Sequence, residues 1–179
     1  SAFNVVSIIT GTGYSSANYA GWGHFATGIF FFIMFIGGCA GSTTCSIKIF
    51  RYQVLYETAK MQMKHLIRPH GIFVGTFNGQ PISDEVENSV MSFFFLFMLT
   101  FAFLAGMLHF LGLDFLTAIS GAASAICNVG PALGDIIGPT GNYSTLPDSA
   151  KWVLSAGMLL GRLELFTVLV LFAPWFWRG

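Results

Sequence analysis

Thr10-Gly11-Thr12-Gly13-Tyr14 (TGTGY) decides the fold, because a fainter copy of its surroundings lies 117 residues further on. At that offset Ser7 falls on Ser124, Ile9 on Ile126 and Gly13 on Gly130. Each copy is a short run of small and apolar residues ending in a glycine-containing stretch poor in side chains. Each is followed by a polar loop, a tryptophan (Trp22, Trp152) and a hydrophobic segment. That order matches a re-entrant pore helix, a filter strand of backbone carbonyls and an inner helix, in which carbonyls replace the water around a dehydrating cation. A desolvated monovalent cation needs several oxygen ligands without fixed negative charges that would hold it too tightly. The expected ligand strands are Thr10, Gly11, Thr12 and Gly13, then Cys127, Asn128, Val129 and Gly130, the second stopped by Pro131. Gly13 and Gly130 reach φ > 0 without a Cβ penalty, so successive carbonyls can turn toward one axis. A pore helix also aims the negative end of its dipole at the cavity. TGTGY alone also fits a surface turn; its repetition favours an ion pore.

The composition places the chain in a bilayer. It is 54% hydrophobic and only 9% charged over 179 residues, with 20 Phe and 21 Gly, whereas soluble domains carry about a quarter charged residues. Net charge is zero, so no basic face suggests nucleic acid. Cys39, Cys45 and Cys127 lack C-x-x-C spacing, which indicates neither a zinc site nor a disulfide framework; they read as small packing residues. No paired Asp, H-E-x-x-H or Ser/His constellation lies within a span, which argues against an intramembrane enzyme. The chain opens at Ser1, inside the first pore helix, without an initiator Met, signal peptide or preceding outer helix. It is read as the C-terminal part of a longer protein, with the missing filter copies supplied elsewhere.

Outward from the first filter, Ser15–Gly23 is a polar outer loop and Phe25–Ile36 is almost wholly apolar. Twelve helical residues cover only ~18 Å of a ~30 Å hydrocarbon core. The run then breaks at Gly37, Gly38, Cys39, Ala40, Gly41, Ser42, Thr43 and on to Ser46, with helix resuming from Ile47. Irregular backbone at that depth must be buried in protein or line a water-filled path, and broken helices mark such paths. Residues 47–70 hold Lys48, Arg51, Lys60, Lys64 and Arg68 against the single acid Glu57, which places this segment in the cytoplasm. Asn78-Gly79 within residues 72–82 predicts a small hairpin, and Asp84 with Glu87 suggests a capping box for the next helix.

Val90–Leu111 has no charged side chain and spans ~33 Å as a helix. Phe115–Ile126 is the second pore helix, Asp135–Ser149 an external loop, and Lys151–Ala173 the last span. Pro174 ends it, followed by the interfacial Trp175, Trp177 and Arg178. Arg162 and Glu164 lie mid-span, and intramembrane ionisable residues are functional candidates. Two residues apart, they face different partners. The expected partner of Arg162 is the carbonyl-rich stretch 37–46; a structural ion pair elsewhere in the bundle is the alternative.

TGTGY, GGCAGST at Gly37–Thr43 with Ile47-Lys48, NVGPALG at Asn128–Gly134 and GRLELFTVLVLFAPWFWR at Gly161–Arg178 resemble the Trk/Ktr/HKT potassium-transporter superfamily, nearest its bacterial TrkH type, over essentially the whole chain. The resemblance implies an all-α integral membrane fold of K⁺-channel-like repeats, each an outer helix, a pore helix with filter strand, and an inner helix. Residues 1–70 would be the third repeat without its outer helix, 71–85 a cytoplasmic hairpin linker, and 86–179 a complete fourth repeat. It also implies K⁺ as transported ion with no organic cofactor, and a homodimer of pore subunits in the lipid of the bacterial inner membrane. A cytosolic TrkA-like nucleotide-binding ring would regulate it. Residues Gly37–Thr43 would form the intramembrane gating loop, with Arg162 and Lys48 as its associated charges. After GGCAGST the family often continues with glycines where this chain has Thr44, Cys45 and Ser46. A Na⁺-permeable member of the same superfamily and a purely structural membrane subunit remain as alternatives.

Overall fold

The computed structural model describes residues 2–39, 41–42, 44–71, 73–163, 170 and 176–177. The chain is mostly helical: α1 (Ala2–Ile9), α2 (His24–Phe35), α3 (Ile49–Ile67), a hairpin of β1 (Thr76–Phe77) and β2 (Gln80–Pro81), then α4 (Asp84–Phe110), α5 (Phe115–Cys127) and α6 (Asp148–Arg162). Single 3₁₀ turns sit at Tyr19–Trp22 and Tyr143–Thr145.

Helix α4 has 27 residues, about 40 Å at 1.5 Å per residue, and among the described residues it alone is long and apolar enough to cross a membrane. Helices α2 and α5, with 12 and 13 residues, are apolar but too short to do so. The described part of the last predicted span is α6. Glu164, most of 164–173, and the flanking Pro174, Trp175 and Arg178 lie outside the described residues, as do Ala40 and Thr43 of the break.

Helix α5 is the centre of the molecule. Its Ala, Ser and Gly side chains from Thr117 to Cys127 are nearly all buried, packed between α4 and α6. Lipid tails are as apolar as leucine, so close van der Waals approach through small residues has to hold such helices together. Gly157 of α6 accordingly rests on Leu104 of α4 and Ala125 of α5, and Gly161 rests on the Ile126 carbonyl. Aromatic edges dock α2 on α4: the Phe35 ring meets those of Phe97 and Phe101 at 6.1 and 5.4 Å. Asn78 (φ 53°) and Gly79 (φ 80°) make the predicted tight turn, pairing Phe77 with Gln80.

The expected capping box is not formed. Ser83, one residue earlier, is the N-cap, and its backbone carbonyl rather than a side chain takes the Val86 and Glu87 N–H groups. Asp84, Glu85 and Glu87 instead fall in the first turn of α4, where carboxylates oppose the positive end of the helix dipole.

Candidate functional site

The two repeats of the sequence are repeats in space. Helix α1 ends in a left-handed residue, Gly11 (φ 71°), and α5 ends in Asn128 (φ 52°), its partner at the same offset. In both, the left-handed N–H bonds back three residues (Gly11 to Ile8, 3.0 Å; Asn128 to Ala125, 3.1 Å). The following N–H bonds back five, Thr12 to Ser7 at 2.9 Å and Val129 to Ser124 at 3.0 Å. These are paired Schellman ends. A second left-handed residue follows in each strand, Gly13 (φ 76°) and Gly130 (φ 104°).

The strands come together. A Cβ on Gly13 would stand 2.1 Å from the Val129 carbonyl oxygen and 3.1 Å from Pro131 Cδ, and one on Gly11 would stand 3.8 Å from the Asn128 oxygen. Among the described residues, no donor reaches the carbonyl oxygens of Gly11, Thr12, Gly13, Asn128 or Val129. Thr10 Oγ1 donates to the Val6 carbonyl at 2.8 Å and lies 2.8 Å from Thr12 Oγ1, so the second hydroxyl donates to the first. Both threonine side chains are thereby pinned beside the helix end. A cavity of about 340 Å³ lies at this level, bordered by Thr12, Gly13, Val129, Gly130 and the outer loop.

Two of the expected ligands are placed differently from their neighbours. Cys127 is the last residue of α5, 1% exposed, rather than the first of the strand; the Schellman register ends the helix there. Gly130 supplies the turn, but its carbonyl accepts hydrogen bonds from Ser124 Oγ (2.9 Å) and Tyr143 Oη. Tyr143 was not legible in the sequence, because nothing in its polar loop marks it as a donor to the strand.

Below the strands, the α2–α3 break is a closed loop. Ile36 and Ile47 form a parallel bridge, with Gly37 N–H on the Ile47 carbonyl (2.9 Å) and Ile47 N–H on the Phe35 carbonyl (3.1 Å). Ser46 Oγ donates to the Met34 carbonyl at 2.7 Å and Tyr52 Oη to the Phe35 carbonyl at 3.2 Å. The end of α2 is therefore satisfied by the loop's own base and two hydroxyls, as low-dielectric surroundings demand. The loop reaches toward the first strand: Thr44 Cγ2 is 4.0 Å from where a Gly11 Cβ would stand. Gly38 fits between Ser42 Oγ and Thr44 Oγ1, which a Cβ would approach to 2.7 and 2.9 Å.

Arg162 meets this loop at a thiol. Its Nη1 donates to Cys45 Sγ at 3.1 Å. Lys48, Arg51 and Arg162 line a common cavity of about 260 Å³ with Thr44, Cys45 and Ser46. The Arg51 guanidinium lies 3.7 Å from the centre of the Phe93 ring, a cation–π contact. Asn128 ties the strand to α6, its Nδ2 donating to the Met158 carbonyl at 2.9 Å.

The family model described as TrkH, cation transport protein, matches residues 1–178. The chain is 54% identical over 176 residues to the Trk system potassium uptake protein TrkI of Halomonas elongata, covering 98% of this chain and 36% of that protein. It is 37% identical over 177 residues to the Trk system potassium uptake protein TrkH of Vibrio parahaemolyticus, covering 99% of this chain and 36% of that protein. The crystal structure of the potassium transporter TrkH from Vibrio parahaemolyticus superposes with a TM-score of 0.89 at 36% identity, covering 98% of this chain and 37% of that one. The chain thus spans about a third of the length of the relatives it matches.

Proposed function

Because the chain belongs to the TrkH family of cation transport proteins, we propose that it forms part of a K⁺ uptake pore in the bacterial inner membrane. The observation that carries this reading is the pair of facing Schellman-ended strands, whose carbonyls at Gly11, Thr12, Gly13, Asn128 and Val129 have no donor among the described residues. Such oxygens suit a dehydrated monovalent cation, and two helix C-termini add negative potential behind them. Residues 1–70 and 86–179 act as two pore repeats joined by the cytoplasmic hairpin at 71–85. The basic α3, with Lys60 and Lys64 and with Arg68 at its C-cap, faces the cytoplasm. Two such chains and a cytosolic TrkA-like ring complete the system. K⁺ is cargo, and no organic cofactor takes part.

The stretch Gly37–Ser46 acts as the gate below the filter. Thr44 carries the loop to the first strand, and Arg162 latches it at Cys45, with Lys48 in the same cavity. The positive charges raise the barrier for K⁺ while the loop is in place. Arg162→Ala in the full-length gene product, folded, is therefore expected to raise K⁺ flux about fivefold, the worth of one hydrogen bond, and to loosen control by the cytosolic partner. Uptake by a K⁺-uptake-deficient bacterium, compared for K⁺, Rb⁺ and Na⁺, measures both flux and ion preference. Unchanged flux and regulation would return Arg162 to a purely structural role. Equal uptake of Na⁺ by the wild type would favour a Na⁺-permeable pore.

A further inference from the structure

The carbonyl of Gly130 differs from its neighbours in the strand. Gly11, Thr12, Gly13, Asn128 and Val129 present carbonyls that receive no donor among the described residues, whereas Gly130 receives two. Ser124 Oγ donates to it from α5 at 2.9 Å, and Tyr143 Oη donates from the outer 3₁₀ turn. Ser124 is fully buried, so a carbonyl aimed at it is turned into the protein rather than along the strand. Tyr143 is partly buried, and burial pushes its phenol above the ordinary value; it stays a protonated donor throughout the physiological range. Two donors fill the two lone pairs of one carbonyl oxygen.

The first strand lacks this arrangement. Ser7, the counterpart of Ser124, has its hydroxyl buried without a partner among the described residues, and Gly13 N–H is held instead by the Ser7 carbonyl at 3.2 Å. The outer loop that carries Tyr143 also reaches the first strand's exit, where Ser15 Oγ donates to the Pro139 carbonyl at 2.7 Å. The same loop therefore holds both strands from the outside, one through Ser15 and the other through Tyr143.

We propose that Ser124 and Tyr143 are positioning residues for ion selectivity: by drawing the Gly130 carbonyl into the protein they fix the rotation of the second strand and aim the Val129 and Asn128 carbonyls. This rests on the pore reading above. With Gly at 130 (φ 104°) the peptide is free to rotate, and the two hydroxyls supply the restraint that the residue itself lacks. Without them the strand adapts its oxygens to a smaller ion as readily as to K⁺.

The test is the ratio of K⁺ to Na⁺ uptake in proteoliposomes of the full-length gene product, for wild type, Tyr143→Phe, Ser124→Ala and Ser124→Thr, with assembly checked by gel filtration. Tyr143→Phe and Ser124→Ala are each expected to lower the ratio roughly fivefold, the usual weight of one hydrogen bond. Ser124→Thr, which keeps the hydroxyl, is expected to retain at least part of it. A wild-type ratio in both Tyr143→Phe and Ser124→Ala would overturn the assignment. So would an equal loss in Ser124→Thr and Ser124→Ala with no loss in Tyr143→Phe, since packing would then be responsible. Should Ser124→Ala fail to assemble, Tyr143→Phe decides, because it removes one oxygen and keeps the ring. A wild type that does not discriminate K⁺ from Na⁺ would overturn the K⁺-selective reading of the pore and this assignment with it, whereas a selective wild type with unaffected variants overturns this assignment alone.

Discussion

Gly13→Ala is expected to abolish selective K⁺ uptake by the full-length gene product, a larger loss than from alanine at Gly11. A Cβ at position 13 would sit 2.1 Å from the Val129 carbonyl oxygen and 3.3 Å from its carbon. Both are backbone atoms of the opposing strand and cannot rotate aside as a flexible side chain would. The residue also holds φ 76°, a conformation costing ~1–2 kcal/mol for an L side chain. Clash and strain act together where the two strands approach most closely. Gly11 (φ 71°) shares the strain, but its nearest would-be neighbours are 3.8 and 4.0 Å away, so Gly11→Ala costs the conformational part alone. Uptake of radioactive rubidium by K⁺-uptake-deficient cells, with membrane levels of each variant measured, gives the order. Wild-type uptake in Gly13→Ala would mean that the strands do not face each other.

Gly161→Ala is expected to be the most destabilising single methyl addition in the helical bundle. Its Cβ would stand 1.9 Å from the Ile126 carbonyl oxygen, 2.7 Å from that carbonyl carbon and 3.0 Å from Asn128 Nδ2. Helix α6 has to move off the end of α5, and the Asn128–Met158 hydrogen bond (2.9 Å) is strained with it. Overpacking costs ~1–3 kcal/mol, and a lost buried hydrogen bond adds about 1 kcal/mol. Gly106→Ala on α4, where nothing lies within 4 Å, is the control and is expected to be neutral or mildly stabilising, since Ala is the better helix former. Thermal melting of purified protein in detergent separates the two. A melting temperature for Gly161→Ala equal to that of Gly106→Ala would contradict the close α5–α6 packing.

What the sequence made legible and what it did not divide along physical lines. The repeat was readable because glycine at 13 and 130 is constrained by backbone geometry local to each strand, and local geometry leaves a local signature. The same holds for Asn78-Gly79, whose turn needs two positive φ values, and for α4, whose length and apolarity are one-dimensional properties. Contacts between distant segments leave no such mark. The Ile36–Ile47 bridge closes the break across ten intervening residues, and the Arg162–Cys45 contact joins segments 117 residues apart. Cys127 looked like a strand residue because a small apolar side chain fits either state; the Schellman register decides it. Asn128 in the left-handed position was also hidden, although asparagine is the residue after glycine that tolerates it. The donors to Gly130 lie six residues before it and thirteen after it, in a buried helix face and an outer loop whose meeting only the fold establishes.

The central claim, that the two facing strands hold the transported ion, is tested most directly by diffraction from crystals of the full-length gene product soaked in Tl⁺ or Rb⁺. The account predicts anomalous density beside the carbonyls of Thr12 and Val129, reduced when K⁺ is added back in excess and unaffected by equal Na⁺. Density elsewhere with none between these strands, or density displaced equally well by Na⁺, would contradict it.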